Sequence, residues 1–186
     1  MKLTKILGPF VLLLLLMTGM LSAQEDATRA YLGQTTSMYK QMQDQVGVFL
    51  AELEPLREAK DIVAMKRTAD KFVGVWGRFS DRLNQITPPA DAQAHYQALG
   101  QMFDLQRQSS QLMSDTLTNY ISLILERQKM QKAGASQQDI DSFVANNTPD
   151  KAELTRKTVT IKSDIRTADA TVKSENKRMV AALTSN

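Results

Sequence analysis

Apolar residues recur at spacings of three or four along most of the chain after residue 23. This period predicts amphipathic helices. The sequence shows no sustained alternation of apolar and polar residues, which is the pattern that would indicate a strand. Four long segments follow it, at about residues 25–58, 61–86, 90–132 and 148–186. The second segment has the clearest stripe, which contains Ile62, Met65, Ala69, Phe72, Trp76, Phe79, Leu83 and Ile86.

Polar residues, Pro and Gly mark the ends of these segments. Asp61 is a suitable N-cap for the second helix, and the residues after Ile86 include two consecutive prolines that stop it. Ser136 is a suitable N-cap for a short extra helix over residues 136–145. Thr148 followed by a proline predicts the start of the last helix, with Thr148 as its N-cap.

Four amphipathic helices with short connections predict an all-α fold. The expected architecture is an antiparallel up-down-up-down four-helix bundle of coiled-coil-like period, with long helices and a short extra helix before the last one. The third helix would be roughly 60 Å long, so its end is expected to overhang the bundle. Residues 24–186 contain no linker rich in Pro, Gly or Ser, which predicts a single domain.

Residues 1–23 have the layout of a secretory signal peptide. Lys2 and Lys5 precede an apolar run over residues 6–21, and Ser22 and Ala23 are small residues before a polar stretch. We therefore expect cleavage after Ala23 and a periplasmic or secreted protein. An uncleaved N-terminal anchor is the alternative, because Leu21 is larger than the residue usually found three positions before a cleavage site.

Removal of the signal peptide changes the charge balance. The full chain has 23 basic and 20 acidic residues, and two of the lysines lie in the signal peptide. Residues 24–186 therefore carry 21 basic and 20 acidic residues, a net charge of +1, which does not favour nucleic-acid binding by bulk charge. No second apolar run follows, so no transmembrane segment is expected after signal removal.

Composition excludes several kinds of site. The chain has no Cys and one His, which rules out disulfides, thiolate metal sites and sites that need two imidazoles from one chain. His95 is interpreted as an exposed residue at a helix start, with a metal or haem ligand as the alternative. Methionines such as Met38 and Met42 are interpreted as core residues, with a soft Cu(I) site as the alternative. No metal site and no cofactor are predicted.

Residues 87–105, with their Thr-Pro-Pro start, resemble the middle of cytochrome b562-like proteins. The resemblance implies a haem ligated by a Met on the first helix and a His on the last. Met38 or Met42 matches the first position. The fourth segment contains no His, so the haem ligand expected on the last helix is absent. No haem is therefore predicted.

Candidate contact residues lie on the second, third and fourth helices. Gly74 and Gly77 flank the stripe at Trp76, and two glycines inside a helix predict close helix approach or a small cleft. The favoured interpretation is that the aromatic residues there belong to the core, and the close approach or cleft is the alternative. Basic residues near the C-terminus could meet an anionic surface, or simply suit the negative end of the helix. The predicted ligand or partner contacts are Gly74, Trp76, Gly77, Tyr96, Lys173, Lys177 and Arg178.

The sequence contains no nucleophile elbow, phosphate-binding loop or carboxylate pair whose spacing indicates catalysis, and no catalytic residue is predicted. The favoured hypothesis is an exported, non-catalytic helical bundle that binds a protein or another component of the bacterial envelope. The alternative is a small-ligand-binding or sensory bundle with a cleft near Trp76. A metal- or haem-carrying bundle is a weaker alternative, and a homodimer is left open.

Overall fold

A computed structural model describes the backbone of residues 7–185 and the side chains of residues 24–185. The described part is all-helical and without strands. Its helices are α1 (Leu7–Glu58), α2 (Ile62–Asn84), α3 (Gln93–Lys132), α4 (Gln137–Asn147) and α5 (Lys151–Thr184). A single 3-10 turn, Ala90–Ala92, precedes α3. The side chains of the predicted signal peptide, on which that prediction depends, lie outside the described residues.

Side-chain caps begin three of the helices. Asp61 accepts a hydrogen bond from the Ala64 amide at 2.9 Å, and Ser136 accepts one from the Asp139 amide at 3.2 Å. Both residues were predicted as N-caps, and both predictions are confirmed. The predicted N-cap of the last helix, Thr148, is wrong.

Asp150 is the N-cap of α5 instead. Its carboxylate accepts hydrogen bonds from the amides of Ala152 at 2.8 Å and Glu153 at 3.3 Å. Thr148 ends α4, and its hydroxyl donates to the Val144 carbonyl at 2.6 Å. A charged carboxylate is a strong cap because it also stabilises the positive end of the helix dipole, so the helix starts two residues later than predicted.

Four of the helices, α1, α2, α3 and α5, pack against each other around a common core. The pair α2–α3 has the most extensive contact, followed by α3–α5 and then α1–α2, and the contact between α1 and α5 is much smaller than these three. The core contains Met38, Met42, Phe72, Val75, Trp76, Phe79, Leu83, Ala98, Leu99, Met102, Phe103, Leu105, Ala168 and Val172. The short α4 packs on α3 and buries Ile140.

The hydrogen bonds between α1 and α5 lie in the middle part of α1. Tyr39 donates a hydrogen bond to Asp169 at 2.5 Å, and Arg29 donates to the Leu183 carbonyl at 3.4 Å. Toward the other end, where α1 finishes and α5 begins, a groove lies between the two helices. The weak α1–α5 pair therefore leaves part of the core open.

None of the helices, within the residues that the structure describes, is long and apolar enough to cross a membrane.

Candidate functional site: a groove between α1 and α5

Trp76 belongs to the core and not to a cleft. Its side chain has 0% exposure, and its indole Nε1 donates a hydrogen bond to Ser110 Oγ at 3.0 Å. Phe72 and Phe79 lie on either side of it, with ring centroids 5.9 and 6.0 Å from the indole. The interpretation of the aromatic residues here as core residues is confirmed, and the alternative of a ligand contact at Trp76 has no support, because the indole presents no surface to a ligand.

The two glycines beside Trp76 are not sites of close helix approach. A Cβ atom added at Gly77 would meet no atom within 4 Å, and one added at Gly74 would meet only Arg78 Nη1, at 3.7 Å, on the same helix. Gly74 is exposed and Gly77 is partly exposed. The structure therefore does not show the close helix approach that was predicted as the reason for these two glycines.

We expect Gly77→Ala to raise the free energy of unfolding by about 0.8–1 kcal/mol, because alanine has the better helix propensity and its methyl group meets open space. Gly74→Ala should act in the same direction. Urea unfolding monitored by circular dichroism measures both effects. A loss of stability in either variant would restore the close-approach explanation for that glycine.

The three basic residues predicted on the last helix do not form one free cationic patch. Lys173 pairs with Asp169 at 2.7 Å, and this carboxylate raises the pKa of Lys173. Arg178 pairs with Glu175 at 2.9 Å and also donates to the Asp91 carbonyl. Lys177 is exposed. Two of the three cations are therefore largely balanced by acids of the same helix.

Tyr96 is half-buried near the start of α3, where its hydroxyl donates a hydrogen bond to Asn84 Oδ1 at 3.5 Å. It lines an open surface depression of about 450 Å³ together with Asn84 and Gly100. Trp76 is not among the residues that line this depression. The structure therefore does not bring the predicted contact residues together into one site.

His95 is buried, which sequence reasoning did not predict. Its side chain is 1% exposed, and its Nδ1 shares a hydrogen bond of 2.9 Å with the Tyr31 hydroxyl. The two rings meet edge to face, with centroids 5.6 Å apart. Burial lowers the pKa of His95, against an opposing effect of Glu175, and burial also raises the pKa of Tyr31. The interpretation of His95 as an exposed helix-start residue is wrong.

A groove of about 700 Å³ opens between α1 and α5, at the end of the bundle where α1 finishes and α5 begins. Side chains of four helices line it. The α1 wall includes Phe49, Leu50 and Leu53, and the α5 wall includes Leu154 and Thr158. The residues that α3 contributes are Ser109, Leu112, Met113, Thr116 and Leu117.

The lining of this groove offers few hydrogen-bonding groups. The Thr116 hydroxyl donates to the Leu112 carbonyl at 2.7 Å, and the Thr158 hydroxyl donates to the Leu154 carbonyl at 2.8 Å. Each hydroxyl proton is thus already used within its own helix. Because the remaining lining is mainly Leu, Met and Phe, the interior favours apolar groups over polar ones.

Charged residues lie at the margin of the groove. Arg57 comes from α1 and Lys162 from α5, so the two cations belong to opposite walls, and Glu54 of α1 is the one carboxylate. All three residues are exposed. Among the side chains that the structure describes, none of the three is in an ion pair.

Sequence reasoning missed the groove, although the sequence contains two signals of it. Leu50 is an apolar residue next to Phe49 that lies off the main stripe of α1, and in the structure it is 60% exposed. The third helix has two adjacent apolar stripes, which include Leu112 and Met113, and this width indicates more than one neighbour. Neither signal could locate the opening, because the separation of α1 from α5 depends on how the helices pack.

The described side chains contain no cluster of three or more His, Asp or Glu residues that could hold a metal ion. Comparison of the chain with protein families, with curated proteins and with solved structures found no match.

Proposed function

We propose that this chain is an exported, non-catalytic helical bundle of the bacterial envelope, and that it acts by binding a partner in the groove between α1 and α5. Export is supported by the positive start, apolar run and small residues of the first 23 positions. Binding is supported by the groove itself, whose volume of about 700 Å³ lies in the range typical of ligand sites.

We infer that neighbouring helices of this bundle alternate in direction. Contacts between two helices support this, because the residue number rises on one helix as it falls on the other. The supporting pairs are Gln41–Arg82 and Glu52–Lys71 for α1 and α2, Asp70–Ser114 and Trp76–Ser110 for α2 and α3, and Arg29–Leu183 and Tyr39–Asp169 for α1 and α5. The groove would then lie between the C-terminal end of α1 and the N-terminal end of α5.

The open apolar groove is the single observation that carries the binding proposal. A bundle gains stability by removing apolar surface from water, so apolar side chains are normally closed off by a neighbouring helix. Here α1 and α5 leave Leu50, Met113 and Leu154 at an opening instead. A partner that covers this surface would bury the apolar side chains that the small contact between α1 and α5 leaves open.

Photo-crosslinking in living cells tests this proposal. A photoreactive amino acid placed at position 50, on the groove wall, should form a crosslink to an envelope component. The same amino acid at position 180 is the matched control, because Val180 is also an exposed apolar residue (49%) of the described chain and lies near the other end of α5. Position 180 should give no such product.

Two results would contradict the proposal. One is the absence of any position-50 product in the envelope fraction. The other is the same product from positions 50 and 180, which would show non-specific contact. A crosslinked product consisting of two copies of this chain would indicate a homodimer interface at the groove instead of an envelope partner.

A further inference from the structure

The size of the groove favours a small ligand over a protein partner. A typical protein–protein interface uses about 20–30 residues on each side, whereas fourteen residues line this groove. Its α5 wall runs from Leu154 to Lys162, a length of about 12 Å at 1.5 Å per residue. A slender molecule about this long would occupy the groove, whereas a docked protein would need much more surface.

The lining favours a ligand with an apolar body. Leu53 and Leu117 are buried at the groove, and Leu112 and Met113 are partly exposed to it. The hydroxyls of Thr116 and Thr158 donate to carbonyls of their own helices. A polar body would lose hydrogen bonds to water here and regain few of them, whereas a hydrocarbon chain loses none.

The margin favours a ligand with an anionic end. Arg57 and Lys162 face the opening from opposite walls and are opposed by one carboxylate, Glu54. Within the described side chains neither cation is in an ion pair, so both are available to an added anion. A guanidinium and an ammonium group at this margin favour a carboxylate head over an uncharged one.

We propose that the groove binds a free single-chain amphiphile with an anionic head, of the fatty-carboxylate type. The hydrocarbon chain lies along Leu112 and Met113, and the carboxylate lies at the margin of the groove, where Arg57 and Lys162 supply positive charge. This inference rests on the proposed binding function and names the chemical class of its ligand. The occupant is a free molecule, and not a lipid that remains in a membrane.

Calorimetric titration with dodecanoate below its micellar concentration tests this assignment, with protein purified after expression of the full chain. We expect saturable binding of one dodecanoate per chain. Octanoate should bind at least about tenfold more weakly, because burial of each methylene group contributes to affinity. Failure of dodecanoate to bind, or equal binding of the two chain lengths, would overturn the assignment.

The double variant Arg57→Gln/Lys162→Gln tests the head group. We expect it to weaken dodecanoate binding about tenfold, since two exposed charge interactions are lost. The matched control is Arg127→Gln/Lys132→Gln, which removes two exposed cations near the end of α3, outside the groove. All four positions are exposed, and thermal melting confirms that each variant is folded. Equal weakening by both double variants would overturn a specific head-group site.

The remaining outcomes separate this inference from the proposed function. Binding to vesicles of anionic phospholipid without binding of dodecanoate would indicate a membrane surface and would overturn the inference. A protein crosslinked at position 50, without dodecanoate binding, would overturn the inference and keep the binding function. Failure of both dodecanoate binding and crosslinking would overturn both.

Discussion

Trp76→Ala should lower the free energy of unfolding by about 3–5 kcal/mol, the range found when a large buried aromatic side chain is replaced by alanine. The indole is fully buried and packs between Phe72 and Phe79. The aromatic contacts continue to Phe103, whose ring centroid is 5.2 Å from that of Phe79. The substitution therefore removes the centre of an aromatic row that joins α2 to α3. Urea unfolding followed by circular dichroism measures the loss.

Two control variants make this prediction specific. Trp76→Phe keeps an aromatic ring but removes the hydrogen bond to Ser110, so it should cost less than Trp76→Ala, about 1–3 kcal/mol. Val159→Ala changes a residue that is 61% exposed and should alter stability by less than about 0.5 kcal/mol. A loss below about 1 kcal/mol for Trp76→Ala would indicate that Trp76 lines a cleft after all.

Acid should destabilise the protein through His95. Burial lowers the pKa of this imidazole below its ordinary value of 6.5 in the folded state. Below pH 6.5 the unfolded chain therefore takes up a proton that the folded chain does not, and the unfolded state gains stability. The free energy of unfolding should fall by up to about 1.4 kcal/mol per pH unit, from about pH 6.5 down to the folded-state pKa.

The pH dependence of stability also depends on the groups that contact His95 and on other carboxylates of the chain. Tyr31 shares its Nδ1 hydrogen bond, and the Glu175 carboxylate opposes part of the lowering of the pKa. Asp70 and Asp169 have lowered pKa values in the folded state, so their contribution to stability is lost only below about pH 4. The interval between pH 5 and 6.5 therefore reports mainly on the imidazole.

His95→Gln is the control variant for this titration, because it keeps a polar side chain beside Tyr31 and does not titrate. Chemical unfolding measured at several pH values from 7.5 to 5 compares the two proteins. The wild type should lose stability over this interval, and the variant should show a much flatter dependence. Equal slopes in the two proteins would show that His95 does not cause the acid sensitivity.

The helices could be predicted from the sequence because each signal is local. The spacing of Phe72, Trp76 and Phe79 identified the buried face of α2, and all three are buried. The N-caps Asp61 and Ser136 were predictable because a cap bonds to amides only a few residues away. The N-cap of α5 was misplaced because Thr148 and Asp150 are both good caps, and the sequence alone did not rank them.

The candidate site could not be predicted in the same way. A glycine inside a helix predicts close approach only if another helix lies opposite, and none lies within 4 Å of a Cβ at Gly77. His95 was expected to be exposed because it follows a helix start, yet Tyr31 of α1 covers it. In each case the deciding neighbour lies far away in the sequence.

The sequence by itself determined the all-helical character of the described chain, the stripe of each helix and most of the helix ends. These features follow from backbone hydrogen bonds and from side chains three or four residues apart. Only the tertiary structure decided that His95 is covered, that Trp76 has no cleft and that a groove lies between α1 and α5. A periodic stripe shows which face of a helix leaves water, but how closely two distant helices approach depends on the fit of their side chains, which no local pattern encodes.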